Sequence, residues 1–383
     1  MRWIRIIFPL LLLAAVAAGG CSRSGDGAIT VQLEYPSPPA APAARDAVRA
    51  PSYPTHPSDR ILIRVLAPHF APMEKWFDRS AGYGEIGGIP PGSRITVEVD
   101  EFDNTAITLG TDAPLLGRGW YNGITLSAGE TKVVPVSMYA KGTIVTICGA
   151  PGTPGDTGDG GLANEAFLGN PISIKVGPDD SIYISSYAFK EVKKIDRYGY
   201  ISTFAGNGTD GTISIGVPAY SSPIGSVSDL DIDPSGNLYL FNFNDNNQII
   251  RVENGVITSV LFNGLYSVAA RPDLAVVNVD LLYFVNYLDR RVYKIFDSVK
   301  SDFVTNSTPY DTTEPFDRFY YPINGPSSIT YVPAIDSLVF ADTDNDRIMR
   351  VSFLDGYIHF LVGNVTGGVP FSEGIDPLAM TPA

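Results

Sequence analysis

From Gly142 onward the chain repeats itself, and a repeat that returns every 44 to 56 residues restricts the fold more than any single motif does. Each copy holds two short apolar segments of strand character. They fall at 181–184 with 192–195, 237–240 with 249–252, 281–284 with 292–295, and 337–340 with 348–351. The anchor residues Tyr183, Tyr239, Tyr283 and Val339 are 56, 44 and 56 positions apart. Within the copies a basic residue, Lys194, Arg251, Lys294 or Arg350, follows its anchor by 11, 12, 11 and 11. Periods of this length with paired strands predict propeller blades, each of which buries its faces only against its neighbours. Composition agrees, since Gly 38 and Pro 30 among 383 residues, with Tyr 20 and Phe 19, favour strands and turns over helices. A hydrophobic share of 44% against 18% charged excludes a disordered chain.

The first copy carries a more specific pattern. It reads Gly158-Asp159-Gly160-Gly161-Leu162-Ala163, Ala166-Phe167-Leu168 and Pro171, then Ile195-Asp196, Gly199 and an outer strand over 201–206. On these residues the region resembles the NHL-repeat propellers, in the glycine-rich bacterial form also seen in teneurin-like proteins. Copy two keeps Asp233-Pro234-Ser235-Gly236-Asn237-Leu238-Tyr239, copy four keeps Asp342-Thr343-Asp344-Asn345-Asp346-Arg347, and copy three keeps chiefly its strand pair. The resemblance implies that 229–233 is an innermost strand bordering a central channel, and that 143–148 is an outer strand closing the ring against strands from the C-terminus. Strands for that closure are not legible after 357–363; instead Gly374-Ile375-Asp376-Pro377-Leu378-Ala379 echoes the opening loop at Gly161-Leu162-Ala163. The expected propeller, residues 142–383, therefore shows four blades and looks shortened relative to a ring of five or six. An open ring would expose strand edges that invite self-association.

Ahead of the repeat the chain reads as an address and a second module. Residues 1–20 carry Arg2 and Arg5 and then a short apolar run, the layout of a secretory signal peptide. Ala18-Gly19-Gly20-Cys21 resembles the bacterial lipobox, which implies acylation (palmitate) at Cys21, a tether over 21–27, and a place in the cell envelope. Ser22 in place of aspartate implies the outer membrane where the envelope is Gram-negative. Losing Arg2 and Arg5 leaves 25 basic against 41 acidic residues, a charge of −16, so attachment would rest on acyl chains and not on basic residues. Residues 28–141 alternate in short strands around 28–35, 61–66, 94–99 and 131–138, with a Pro/Ala-rich insertion at 36–57. This stretch resembles the small β-sandwich modules (Ig-like or prealbumin-like) of bacterial surface lipoproteins and reads as a spacer. The fold class is thus all-β, a small sandwich followed by a propeller.

Candidate chemistry is thin. The acidic balance disfavours a nucleic-acid partner, and three histidines, of which the repeat region holds only His359, support neither a zinc site nor a Ser/His/Asp triad. The loop Gly152 to Gly161 lacks the lysine and Ser/Thr of a P-loop. Asp156 and Asp159 there read as turn residues, with Ca²⁺ as the lesser alternative, and Asp342, Asp344 and Asp346 read as a hairpin turn because Arg347 stands where a calcium loop needs glycine. Cys148 reads as a small core residue. Alternation places Asp229, Asp231 and Asp233 on one strand face, and the matching face of the first copy offers Ser173 and Lys175, so Asp229, Asp231 and Lys175 are candidate ligand contacts in the channel that the resemblance implies. Tyr187, Phe189, Phe241, Phe243 and Tyr287 recur near the ends of second strands and form either blade packing or an aromatic rim for carbohydrate. The leading expectation is a non-catalytic scaffold for a protein or ligand. A carbohydrate or cell-wall role comes next, and a carboxylate enzyme last, which would need a second acid from another blade.

Overall fold

A computed structural model describes residues 25–34, 60–81, 83–103, 115–149, 154–243, 248–262, 273–305, 318 and 322–363. The signal segment, Cys21 and the insertion at 36–57 lie outside these residues, as do 244–247 and 364–383. The chain divides into two units, Met1–Ile144 and Val145–Ala383.

The first unit has seven strands: β1 (Gly27–Glu34), β2 (Arg60–Ala67), β3 (Phe70–Asp78), β4 (Tyr83–Ile89), β5 (Gly92–Phe102), β6 (Leu115–Leu126) and β7 (Thr131–Ala140). They form one sheet in the order β3-β2-β5-β6-β7-β1-β4. The sheet turns a corner between β6 and β7, which pair only through Gly117, Arg118 and Gly119 with Ala140, Tyr139 and Met138. Gly119 is needed there, because a Cβ would stand 2.6 Å from the Ser137 carbonyl. Alternate residues of both halves, among them Ile29, Val31, Ile63, Val97, Val134 and Val136, meet in one core. The sequence pattern missed β3 and β4. Gly87-Gly88 signals a turn, yet β4 runs through it because Ile86 and Ile89 are buried in that core.

The second unit contains four antiparallel four-stranded sheets. Blade 1 is β8 (Pro171–Val176), β9 (Ile182–Ser186), β10 (Glu191–Ile195) and β11 (Ile201–Ala205); blade 2 is β12 (Ser226–Ile232), β13 (Leu238–Phe243), β14 (Gln248–Glu253) and β15 (Val256–Phe262). Blade 3 is β16 (Leu274–Asn278), β17 (Leu281–Asn286), β18 (Arg291–Phe296) and β19 (Val299–Val304), and blade 4 is β20 (Pro326–Val332), β21 (Ser337–Asp342), β22 (Arg347–Ser352) and β23 (Ile358–Gly363). This is a four-bladed propeller arrangement, with the first strand of each blade innermost. The repeated anchor and basic residue prove to be cross-strand partners: Tyr183 with Lys194, Tyr239 with Arg251, Tyr283 with Lys294, Val339 with Arg350. Direct opposition explains why their spacing is kept, and in blade 1 the Lys194 ammonium lies 5.2 Å from the Tyr183 ring centre.

Separate apolar clusters fill the seams between consecutive blades. Tyr183, Val192 and Ala205 of blade 1 pack on Leu230 and Leu240 of blade 2. Tyr239 and Phe241 pack on Leu274 and Phe284 across the next seam, and Tyr283 and Val292 on Ile329 and Phe340 across the third. The expected closing strand at 143–148 is corrected: this segment has no strand pairing, and Ile144 is 97% exposed. A lone extended segment leaves its backbone groups to water unless an edge receives it, and none of the described strands does. Cys148 is half-buried against the blade 1 cluster, and that burial pushes its thiol pKa up.

Candidate functional site

The inner strand of a blade is a sheet edge, so its outward amides need acceptors from elsewhere. One repeated position supplies them. Counting back ten residues from the anchors Tyr183, Tyr239 and Tyr283 gives Ser173, Asp229 and Asp273, and eleven from Val339 gives Ser328. Each of the first three accepts the amide of the following blade's next residue. Leu230 N donates to Ser173 Oγ at 3.2 Å, Leu274 N to Asp229 Oδ2 at 2.7 Å, and Ile329 N to Asp273 Oδ2 at 2.7 Å. The side chains also bond laterally: Ser173 Oγ donates to Asp229 Oδ1 at 2.8 Å, and Ser328 Oγ to Asp273 Oδ2 at 2.6 Å.

Asp229 is only 7% exposed and faces Asp273 across the seam. Burial first, and then the neighbouring Asp273 carboxyl and a hydrogen bond with it, push the Asp229 pKa well above the usual carboxylate range. Two residues further along, Lys175 Nζ pairs with Asp231 Oδ1 at 3.0 Å, and Val276 N donates to Asp231 Oδ2 at 2.6 Å. Burial works against the Lys175 charge, but Asp231, aided by Asp229 and Asp273, holds its pKa above the ordinary lysine value. The sequence-derived trio Asp229, Asp231 and Lys175 is thus brought together. Asp273, which the sequence reading missed, completes it, and the ten-residue offset from the anchor is the signal that finds it.

Asp233 does not share that face. The strand ends at Ile232, and Asp233 folds back to cap the turn, accepting from Ser235 N and Asn237 N, both at 2.9 Å, and from Asn237 Nδ2 at 2.8 Å. At the same end of the inner strands lies a cavity of about 330 Å³, to which all four blades contribute. Val176, Ile232, Val276 and Tyr331 form its apolar wall and Asp231 its acidic point, while Pro178, Pro234 and Pro333 stand at the turns beside them.

The aromatic set separates. Phe241 is buried in the seam between blades 2 and 3, which corrects its place on a binding rim: a ring that fills a seam presents no face to a sugar. Phe189 is half-buried over Gly169, where a Cβ would stand 1.9 Å from its ring, and Tyr187 is half-buried beside it. Tyr287 is 36% exposed and its hydroxyl donates to Asp344 Oδ1 of the next blade at 2.7 Å. Phe243 ends β13, and its side chain lies outside the described residues.

The other acidic loops are already occupied by protein cations. Lys193 Nζ pairs with Asp156, with Asp159 at 3.2 Å and with Glu191 at 2.8 Å, and stands where a calcium ion would otherwise have to sit. Burial lifts the Glu191 pKa, while Lys193 is kept charged by its carboxylates against the pull of burial. Asp342 accepts from Arg347 Nε at 2.7 Å and from Asn345 Nδ2 at 2.9 Å, and so caps its hairpin turn. His359 pairs with Asp355 at 2.9 Å.

No protein-family model matches the chain, and no curated protein does. Among solved structures it is similar to a protein of unknown function from Bacteroides thetaiotaomicron (11% identity, TM-score 0.41, covering 72% of this chain and 70% of that one). It is also similar to virginiamycin B lyase from Staphylococcus aureus (14%, 0.34, 68% and 65%), so the chain spans just under two thirds of that lyase. A third likeness is to an auxiliary nutrient binding protein from the same Bacteroides (12%, 0.32, 79% and 79%). At these values the likenesses carry no argument about function.

Proposed function

We propose that the chain is an exported lipoprotein, held in the cell envelope through Cys21, whose NHL-type propeller is a non-catalytic scaffold for a protein or small ligand. The observation that carries the scaffold reading is the use of the channel groups. Ser173, Asp229, Asp231 and Asp273 each receive a backbone amide of the neighbouring blade, so they serve to hold the blades in register. What such a frame offers a ligand is the cavity at the ends of the inner strands, apolar on its walls and polar at Asp231. The anchor reading rests on the lipobox-like Ala18-Gly19-Gly20-Cys21.

One observation favours a second reading, a carboxylate enzyme: Asp229 and Asp273 come from different blades and face each other across the seam, where burial and the Asp273 carboxyl push the Asp229 pKa up. Against it, Asp229 gives one oxygen to Ser173 and the other to Leu274 N, and Asp273 Oδ2 receives both Ser328 and Ile329.

The test is a thermal-shift screen of residues 22–383 against soluble glycans, peptides and small metabolites, repeated with Val276→Arg. A compound that raises Tm in the wild type, comes through the incubation unchanged, and loses its effect in the variant supports a binding mouth. Conversion of the compound, abolished by Asp229→Asn, gives the site to the enzyme reading. For the anchor, palmitate labelling of the full chain that disappears in Cys21→Ala is the expected result, and labelling that persists contradicts it.

A further inference from the structure

The outer strands of blades 1, 2 and 3 share one irregularity. In each, a single residue is looped out of the pairing with the third strand: Phe204 lies between the partners of Val192 and Lys193, Leu261 between those of Ile249 and Ile250, and Phe303 between those of Val292 and Tyr293. A bulge of this kind re-aims a side chain, and here each one packs into the seam with the following blade. In blades 1 and 3 that side chain is a ring on the anchor tyrosine, Phe204 with Tyr183 at 4.9 Å between centres and Phe303 with Tyr283 at 4.6 Å. Phe204 thereby joins the cluster that holds Leu238 and Val252 of blade 2, and Phe303 the one that holds Leu338 and Val351 of blade 4. Blade 2 has the shorter Leu261 at this place. There the corresponding residues of blade 3, Leu282 and Ile295, line a cavity of about 190 Å³ together with Leu261. A cavity of roughly 150 Å³ holds a benzene ring, so this one has room for the ring that blade 2 lacks and for a short polar end.

The charges lining the cavity depart from the repeat as well. In blade 1 the cation opposite the anchor is matched within its own blade, Lys194 pairing at 3.0 Å with Asp179, four residues before Tyr183. Four residues before Tyr239 stands Ser235, which carries no charge. Among the described residues Arg251 has only a longer ion pair, with Glu253 at 3.7 Å; its Nε donates to Thr258 Oγ1 at 3.1 Å and its Nη1 to the Val279 carbonyl at 3.5 Å. Asp280 and Asp297 line the same cavity from two turns of blade 3, joined where Asp297 N donates to the Asp280 carbonyl at 3.1 Å. Neither is paired with a cation among the described residues. One guanidinium and two carboxylates around an apolar floor suit a zwitterion with an apolar body, because a plain anion meets the two acids and a plain cation meets Arg251.

We propose that this cavity between blades 2 and 3 binds a free aromatic amino acid. The ligand's ring fills the place that Phe204 and Phe303 fill in the neighbouring seams, its carboxylate pairs with Arg251, and its ammonium lies against Asp280 and Asp297. The site shares no lining residue with the cavity at the ends of the inner strands and does not depend on what that cavity binds.

Isothermal titration of L-phenylalanine into residues 22–383 tests the proposal. A Kd of about 1 mM or tighter is expected. The analogue 3-phenylpropanoate lacks the ammonium and L-alanine lacks the ring, and each should bind at least about 10-fold more weakly. Leu261→Phe gives blade 2 the residue that blades 1 and 3 carry, so it should keep or raise Tm while weakening L-phenylalanine about 10-fold or more. Asp280→Asn combined with Asp297→Asn, at exposed turn positions, should weaken L-phenylalanine about 10-fold and leave 3-phenylpropanoate no weaker. Val276→Arg, at the other cavity, should leave the affinity unchanged, which keeps failure of this site distinct from failure of the ligand mouth. Absence of L-phenylalanine binding at about 10 mM overturns the proposal. So does an affinity that L-alanine equals, that Leu261→Phe does not lower, or that Val276→Arg abolishes.

Discussion

Leu274 and Ile174 hold the same place in their blades, opposite Phe284 and Ile184 on the second strand, and differ in what stands beside them. Leu274 is fully buried against Tyr239 and Phe241 of the blade before it, and its amide is taken by Asp229. Ile174 belongs to the blade that begins the repeat and is more than half exposed. The difference teaches that a blade's apolar pattern specifies a neighbour without containing one. Each seam joins two half-surfaces separated by a full repeat in sequence, so the stability of any blade is largely a property of its neighbours.

The largest effect should come from damaging a filled seam. Leu274→Ala is expected to cost about 2–5 kcal/mol in chemical denaturation, as a buried side chain lost from a packed cluster. Ile174→Ala, at a position more than half exposed, should cost under about 0.5 kcal/mol. Equal costs at the two positions would break the comparison.

Next come the polar brackets across the seam. Asp273→Ala strips Ile329 N and the Ser328 hydroxyl of their acceptor and should cost about 1–3 kcal/mol. Asp229→Asn sharpens the same point through pH. The fold holds Asp229 protonated beyond the range where a free aspartate ionises. The stability it contributes is therefore complete below pH about 4 and is lost as pH rises through its raised native pKa. Wild-type stability should accordingly fall relative to Asp229→Asn as pH rises from about 4 to 8, and parallel pH curves for the two proteins would refute the raised Asp229 pKa. The smallest effect is expected at the rim, where Tyr287→Phe removes one exposed bond to Asp344 and should leave Tm almost unchanged.

Much of this was legible before any coordinates. The anchor spacing gave four blades, because cross-strand opposition of Tyr183 with Lys194 and its equivalents fixes both period and offset. Alternation placed Asp229 and Asp231 on one strand face and Ser173 with Lys175 on the matching face of the first copy, and the resemblance implied that this face borders a channel. What sequence could not reach depends on long-range partners. Asp273 lies outside any recognisable motif and becomes visible only through its distance to Tyr283. Asp233 left the strand because a turn-capping aspartate competes with strand extension, and that competition is decided by Pro234 and Asn237 behind it. The segment 143–148 looks like an outer strand by composition, yet strand formation requires an edge to pair with. Phe241 has the same local signature whether it faces water or a seam, so only the neighbouring blade tells the two apart.

The central claim is that one repeated position brackets consecutive blades, and amide exchange measured residue by residue by NMR on 22–383 tests it most directly. The account predicts that the amides of Leu230, Leu274 and Ile329 are slow in the wild type, and that Ser173→Ala, Asp229→Ala and Asp273→Ala each accelerate mainly the one amide their side chain accepts. Fast exchange at all three amides in the wild type, or a loss of protection that ignores which bracket was removed, would contradict it.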